Sequence, residues 1–206
     1  MKQILCFGDS NTYGLIPGTI NQRYGWGTRW TSILDDKVRT KGYRVIEEGL
    51  CGRTTVFDDP FRTERRGTEM LPAILESHRP VDTIVLMLGT NDCKSVYSAT
   101  PEMIGQGIEQ LLDQIKAVNP DAKILLVSPI HLGERIWEED FDPEFDKNSI
   151  EVSRNLPRVY EKIARRRNIS YLPASEFARP GEADQEHLDA LGHSRLADAI
   201  YEKLAG

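Results

Sequence analysis

No stretch of this chain approaches 18 consecutive apolar residues, so the sequence predicts no transmembrane helix. Positive charge is not in excess: 26 lysine and arginine residues face 32 aspartate and glutamate residues, for a net charge of −6. A nucleic-acid-binding protein usually shows a basic face, so this balance argues against nucleic acid as a partner. An apolar run already begins at residue 4, and we therefore expect no signal peptide.

Cysteine is scarce, with three residues at positions 6, 51 and 93. Their number is odd and their spacing matches no metal-binding motif, so we expect no metal site. The pattern is typical of a reducing compartment and predicts a cytoplasmic protein. Cys51 and Cys93 fall in loops that also carry candidate site residues. We interpret both as packing residues, because a catalytic thiol needs an adjacent base.

Apolar strands and amphipathic helices alternate along residues 1–206, which we interpret as one domain. Strands are predicted over about 2–7, 43–46, 81–88, 123–128 and 169–172. Helices are predicted over about 26–38, 71–77, 100–115, 152–163 and 196–204, with Trp26 opening the first. The run Ile84–Leu88 shows no alternation of apolar and polar residues, which is typical of a central parallel strand. The pattern predicts an α/β fold with a three-layer, doubly wound parallel five-stranded sheet.

The segment Ile4–Gly14 organises the rest of the chain, because an apolar strand runs there directly into the polar cluster Gly8-Asp9-Ser10-Asn11. A tight turn at this point opens a helix and places Ser10 at the carboxyl edge of the sheet. Open α/β folds keep their binding sites at that edge. Backbone N–H groups at a helix start also point there and can receive an anion. We therefore predict that Ser10 is a nucleophile.

A serine nucleophile needs a base, and the chain holds only four histidines, at positions 78, 131, 187 and 193. His187 has Asp184 three residues upstream, a spacing at which one turn can place the carboxylate on Nδ1 and leave Nε2 toward Ser10. Asp189 is the rival acid, but its offset of two residues directs it elsewhere if a helix has begun. His193 is interpreted as structural. His78 ends a helix, and His131, after the fourth strand, is a candidate lining residue of the pocket.

Four motifs occur in order: GDSN at 8–11, GRT at 52–54, GTND at 89–92 and DQEH at 184–187. Together they resemble the SGNH hydrolases, or GDSL-type esterases, and in particular the arylesterase and acyltransferase branch known also for perhydrolysis. The resemblance covers essentially the whole chain. It implies a flavodoxin-like sheet of order 2-1-3-4-5, no cofactor, and a homo-oligomer.

The resemblance also implies roles for individual residues. Ser10 would be the nucleophile, His187 the base and Asp184 its partner. The backbone N–H groups of Ser10 and Gly52, with the side chain of Asn91, would form the oxyanion hole. A side-chain amide has a physical use here, because it adds a third donor where the backbone offers two.

The chain departs from the family pattern at three positions. Asn11 stands where leucine is usual, and Gln185 stands where glycine is common. Glu186 adds a second carboxylate beside the histidine, and from its adjacency we expect it to point to solvent. Trp26 and Trp137, the latter in the aromatic and acidic segment 131–149, are expected to narrow the entrance of the site, which would favour acyl transfer over hydrolysis.

The sequence therefore predicts a serine esterase or acyltransferase that acts on small, acetyl-type esters. A carbohydrate O-deacetylase of the same fold is the alternative within the enzyme class, and the fold does not decide between them. A flavodoxin-like protein that holds a phosphate or flavin on the Ser10–Thr12 turn is the alternative outside it. That interpretation assigns no role to Asn91, Asp184 or His187.

Overall fold

The computed structural model describes residues 1–206 and contains one sheet of five parallel strands. The strands are β1 (Lys2–Gly8), β2 (Tyr43–Gly49), β3 (Thr83–Met87), β4 (Lys123–Ser128) and β5 (Ser170–Pro173). Their order is β2-β1-β3-β4-β5, and every neighbouring pair is parallel. The predicted doubly wound α/β sheet and the strand order implied by the family resemblance are confirmed.

Six helices accompany the sheet: α1 (Ser10–Tyr13), α2 (Trp30–Arg39), α3 (Gly67–Ser77), α4 (Pro101–Val118), α5 (Lys147–Arg167) and α6 (Ala190–Ala205). Two separate apolar cores lie on the two faces of the sheet. Helices α3, α4 and α5 pack on one core, and α2 and α6 pack on the other. Residues 84–87 of β3 alternate between these cores, which explains why the strand is apolar after Thr83. None of the helices combines the length and apolar character that a membrane crossing requires.

Helix starts differ from the sequence prediction where a local capping signal decides them. The expectation that Trp26 opens α2 is wrong: the helix begins at Trp30, and Trp26 is exposed in a turn with Gly27 in the left-handed region. A glycine in that conformation interrupts a helix. α5 begins before its first apolar residues because Asp146 and Ser149 form a reciprocal cap.

Helix α6 begins earlier than its apolar spacing indicates, because Asp189 caps it. The carboxylate of Asp189 accepts a hydrogen bond from the Gly192 N–H group at 2.7 Å. This cap fixes the direction in which the preceding segment, 181–188, enters the helix. The segment carries His187, so the cap positions a candidate site residue.

Candidate active site

Five loops meet at the carboxyl edge of the sheet and enclose a pocket of about 570 Å³. The loops follow β1, β2, β3 and β4 and precede α6. The pocket contains all five residues that the sequence analysis singled out, namely Ser10, Gly52, Asn91, Asp184 and His187. A larger cavity, about 700 Å³, lies at the amino ends of the strands and contains none of them.

The turn that carries Ser10 is held tightly by its neighbours. The Asp9 carboxylate accepts a hydrogen bond from the Asn11 N–H group at 3.0 Å, and Gly14, with φ +86°, ends helix α1 after one turn. A side chain at Gly8 would collide with Thr12 and with the Met87 carbonyl. Glycine is therefore required at the point where the strand turns toward Ser10.

Ser10, His187 and Asp184 form a continuous chain of polar contacts. Nε2 of His187 lies 2.8 Å from Oγ of Ser10, and Nδ1 lies 2.8 Å from Oδ2 of Asp184. Burial alone would raise the pKa of Asp184, but hydrogen bonds from His187 and the charge of that residue outweigh burial and lower it. An ionised Asp184 holds the proton of a neutral imidazole on Nδ1. Nε2 is then free to accept the hydroxyl proton of Ser10.

Glu186 points into the pocket, so the expectation that it faces solvent is wrong. Its side chain is 7% exposed, and Oε1 lies 3.7 Å from Nε2 of His187. Gln185 adopts φ +62°, which turns the chain so that residues 184, 186 and 187 all face the site. Side chains of adjacent residues point in opposite directions only where the backbone is regular. The left-handed conformation of Gln185 breaks that regularity.

The two carboxylates, Asp184 and Glu186, change the electrostatics of His187. Burial by itself disfavours a charged imidazole, but Glu186 and Asp184 outweigh burial and raise the pKa of His187 to about 9. Burial raises the pKa of Glu186 to about 7, and the negative charge of Asp142 acts in the same direction. The site therefore holds two groups with strongly shifted pKa values, a pattern that favours a functional role.

Gly52 and Asn91 approach the pocket from the loops after β2 and β3. Gly52 has φ +81°, and a side chain on it would collide with the guanidinium of Arg62. Nδ2 of Asn91 donates a hydrogen bond to the Arg53 carbonyl at 3.1 Å, which fixes the orientation of the amide. Both residues line the same pocket as Ser10.

Sequence reasoning missed two residues that hold these loops in place. The carboxylate of Asp92 accepts hydrogen bonds from the Thr55 N–H group at 2.9 and 3.1 Å and so ties the loop after β3 to the loop after β2. The buried guanidinium of Arg53 donates to the Gly8 carbonyl at 2.8 Å and covers the Phe7 ring. A buried arginine or aspartate in a loop motif is a signal for such a role, since either needs partners.

Asn11, the first departure from the family pattern, joins the turn that carries Ser10 to the loop that carries His187. Its side chain accepts a hydrogen bond from the Leu188 N–H group at 2.9 Å and donates to the Glu186 carbonyl at 3.4 Å. These contacts flank His187 on both sides in sequence. A leucine could make neither of them.

The other histidines make no contact with Ser10. His193 is fully buried, and its Nδ1 accepts a hydrogen bond from the Trp30 N–H group at 3.3 Å. His78 lies at the end of α3 and contacts Glu48 at 2.9 Å. His131 does not line the pocket, in contrast to the sequence-based expectation.

Aromatic residues other than the predicted ones line the pocket. Neither Trp26 nor Trp137 does so, whereas Phe61 and Phe141 do. Of the two loop cysteines, Cys51 lines the pocket and Cys93 is buried behind it. Burial raises the pKa of both thiols, which disfavours a reactive thiolate. Nowhere do three or more potential metal-ligating side chains cluster.

Comparisons of the sequence and of the structure with known proteins agree on one family. Residues 6–195 match the profile of the GDSL-like Lipase/Acylhydrolase family. Est24, a carbohydrate acetylesterase from Sinorhizobium meliloti, is 34% identical over 100% of this chain and 99% of that one, with a TM-score of 0.91. The native aryl esterase of M. smegmatis is 31% identical with the same coverage and TM-score. No protein among the curated sequences matches the chain.

Proposed function

Since the chain belongs to the GDSL-like lipase/acylhydrolase family, whose structural relatives include esterases, we propose that it is a serine esterase that cleaves small carboxylic esters. The observation that supports the assignment of residues is the contact chain from Ser10 through His187 to Asp184, with 2.8 Å at each step. We further propose that residues 1–206 act as one domain, since a single sheet runs through them.

In the proposed first half-reaction, Oγ of Ser10 attacks the ester carbonyl while Nε2 of His187 takes the hydroxyl proton. Negative charge develops on the carbonyl oxygen, where the N–H groups of Ser10 and Gly52 and the amide of Asn91 can donate hydrogen bonds. The C–O bond to the alcohol breaks, the imidazolium protonates the departing oxygen, and an acyl group stays on Ser10. In the second half-reaction an acceptor repeats these steps and frees the serine.

Hydrolysis of p-nitrophenyl acetate and p-nitrophenyl octanoate, before and after a serine-directed organophosphonate, tests this proposal. Label on the Ser10 peptide with activity falling in step would support the nucleophile, and the ratio of the two rates would measure the space available to the acyl chain. Absence of both labelling and turnover would contradict the esterase assignment.

Asn91→Ala is expected to lower kcat by roughly 10²- to 10³-fold with a smaller change in KM. The reason is that the amide donor acts on charge that develops only in the transition state. Steady-state kinetics on p-nitrophenyl acetate measure the effect. The control is Asn155→Ala on the exposed side of α5, where the amide contacts only the Glu151 carbonyl. Equal kcat in the Asn91 variant and wild type would remove Asn91 from the oxyanion hole.

The pH dependence of kcat/KM is expected to show an acid limb above pH 7. Only neutral His187 acts as a base, so activity falls as pH falls through its raised pKa of about 9. Glu186→Gln removes the nearest carboxylate from Nε2 and is expected to move the limb to lower pH by about one unit or more. A pH–rate profile of both enzymes on an uncharged ester provides the measurement. An unchanged limb in the variant would show that Glu186 does not act on the base.

A carbohydrate O-deacetylase is the second candidate, and the polarity of the pocket favours it. Asp140, Asp142, Glu144 and Glu186 line the pocket together with Arg62 and Lys94. Such groups suit an alcohol moiety that carries several hydroxyl groups. A comparison of acetylated monosaccharides with phenyl acetate at equal concentration decides between the two: a higher kcat/KM on the sugar esters would favour the deacetylase.

Self-association and a cytoplasmic location complete the proposal. The pocket mouth carries two very exposed apolar side chains, Ile20 at 90% and Phe61 at 81%, which supports a homo-oligomer that covers them. Three free cysteines support a reducing compartment. Sedimentation of wild type and of Phe61→Ser tests the oligomer, and a monomer at all concentrations would contradict it.

A further inference from the structure

One carboxyl group that takes no part in the proposed half-reactions faces the reacting atoms of the pocket. Oε1 of Glu186 lies 3.7 Å from Nε2 of His187, the atom that also contacts Oγ of Ser10 at 2.8 Å. The side chain is 7% exposed and lines the pocket. A separation of 3.7 Å is too long for a direct hydrogen bond, but one oxygen atom placed between the two groups can contact both.

Apart from His187 at 3.7 Å, no cation forms an ion pair with Glu186. Lys94, whose positive charge also acts on Glu186, is buried and already contacts Glu144 at 2.6 Å. Six further charged groups face Glu186 and His187 from the surrounding segments: Asp9, Arg62, Asp140, Asp142, Glu144 and Asp184. The carboxyl group of Glu186 is therefore available to a molecule in the pocket.

From this geometry we propose that Glu186 is the residue that selects water over simple alcohols as the acyl acceptor. The proposal rests on the acyl-enzyme chemistry proposed above for Ser10. An acceptor oxygen that attacks the acyl carbon must lie within hydrogen-bond distance of Nε2, because His187 removes its proton. That position is next to Oε1 of Glu186.

Water and a monohydric alcohol differ at this position in the number of hydrogens that they bring. Water gives one hydrogen to Nε2 and has a second, which the carboxylate of Glu186 accepts. An alcohol has one hydrogen only, and its alkyl group would cover the carboxylate and leave it without a partner. A site built to accept a hydrogen bond rejects a competitor that cannot supply it.

The atoms of the step balance without a further reactant. The water oxygen bonds to the acyl carbon, and its first proton passes to Nε2. The bond between the acyl carbon and Oγ then breaks, and Nε2 returns that proton to Oγ of Ser10. The second hydrogen, held by Glu186 during the attack, remains on the carboxylic acid that leaves.

The test is the partition of one acyl-enzyme between water and ethanol. p-Nitrophenyl acetate is turned over at a fixed ethanol concentration, and the ratio of ethyl acetate to acetic acid is measured by gas chromatography. Both products arise from the same intermediate, so the ratio does not depend on the fraction of folded enzyme or on the rate of acylation. Glu186→Leu is expected to raise the ratio about tenfold, the discrimination supplied by one hydrogen bond to a charged group.

Two matched variants separate a hydrogen bond from other causes. Glu186→Gln keeps an acceptor oxygen of similar reach, and its ratio is expected to stay below that of Glu186→Leu. Glu139→Leu removes an exposed carboxylate outside the pocket and is expected to leave the ratio at the wild-type value. A wild-type ratio in Glu186→Leu, or equal ratios in the Gln and Leu variants, would overturn the proposal.

The pH provides a second readout on the wild-type enzyme. Below its pKa of about 7, Glu186 is protonated, and its neutral carboxyl group accepts a hydrogen bond from water more weakly than the carboxylate does. The product ratio of the wild type should therefore rise between pH 8 and pH 6, and that of Glu186→Leu should stay level. An equal pH dependence in both enzymes would contradict the proposal. Absence of Ser10-dependent turnover would instead contradict the esterase assignment, so the two failures are distinguishable.

Discussion

Ser10→Ala is expected to lower kcat on p-nitrophenyl acetate by roughly 10⁴- to 10⁶-fold, the range in which loss of a serine nucleophile falls. Alanine removes the hydroxyl oxygen that we propose becomes acylated. Cys51 also lines the pocket as an alternative nucleophile, but burial raises the pKa of its thiol. Single-turnover kinetics with excess enzyme would show whether any acyl transfer remains.

The fold is expected to survive this change. Oγ of Ser10 contacts Nε2 of His187, and the turn itself is held by Asp9 and Gly14. Ser77→Ala, at the exposed end of α3, is a matched control that should retain full activity. Near-wild-type turnover by Ser10→Ala, or label found on Cys51, would contradict the assignment of the nucleophile.

Asp184→Asn is expected to lower kcat by roughly 10⁴-fold. The carboxylate accepts the Nδ1 proton of His187 through Oδ2, and Oδ1 accepts the N–H group of the same residue at 2.9 Å. An amide can present a donor to Nδ1, which would move the imidazole proton to Nε2 and block proton transfer from Ser10. Measurement of kcat above pH 9, where wild-type His187 is neutral, separates this tautomer effect from a simple loss of charge.

Asp189→Asn is the matched control, because Asp189 was the rival acid in the sequence. Its carboxylate caps α6 and contacts the Gly192 N–H group. Asparagine is also a good capping residue, so the variant should retain wild-type kcat and nearly all of its stability. A larger loss of kcat in Asp189→Asn than in Asp184→Asn would reverse the assignment of the two acids.

The layered fold could be predicted from the sequence because its signals are local and repeated. Apolar runs, helical spacing and short connections define β1 to β5 without reference to distant residues, and a run without alternation marks β3 as central. The start of α2 could not be predicted from apolar spacing. Trp26 has the right offset from Trp30, but Gly27 adopts a left-handed conformation that ends any helix at that point.

The residues that line the candidate site could be predicted from the sequence, but the directions of their side chains could not all be predicted. Ser10, Gly52 and Asn91 follow apolar strands, and parallel topology brings such positions to one edge. The inward direction of Glu186 depends on the φ of Gln185, a residue that seldom adopts positive φ. The contacts of Asn11 with Leu188 and Glu186 join segments far apart in sequence, and no local sequence pattern predicts them.

The loop that carries His187 is fastened to three separate parts of the chain. Asp184 accepts a hydrogen bond from the Gly18 N–H group, the Gln185 carbonyl accepts one from Gly133, and Asn11 holds Leu188. These three attachments make the loop a fixed part of the site and not a lid that opens and closes. The imidazole of His187 is therefore preorganised. Its hydrogen-bond partners already lie where charge would develop, so little reorganisation energy is required during proton transfer.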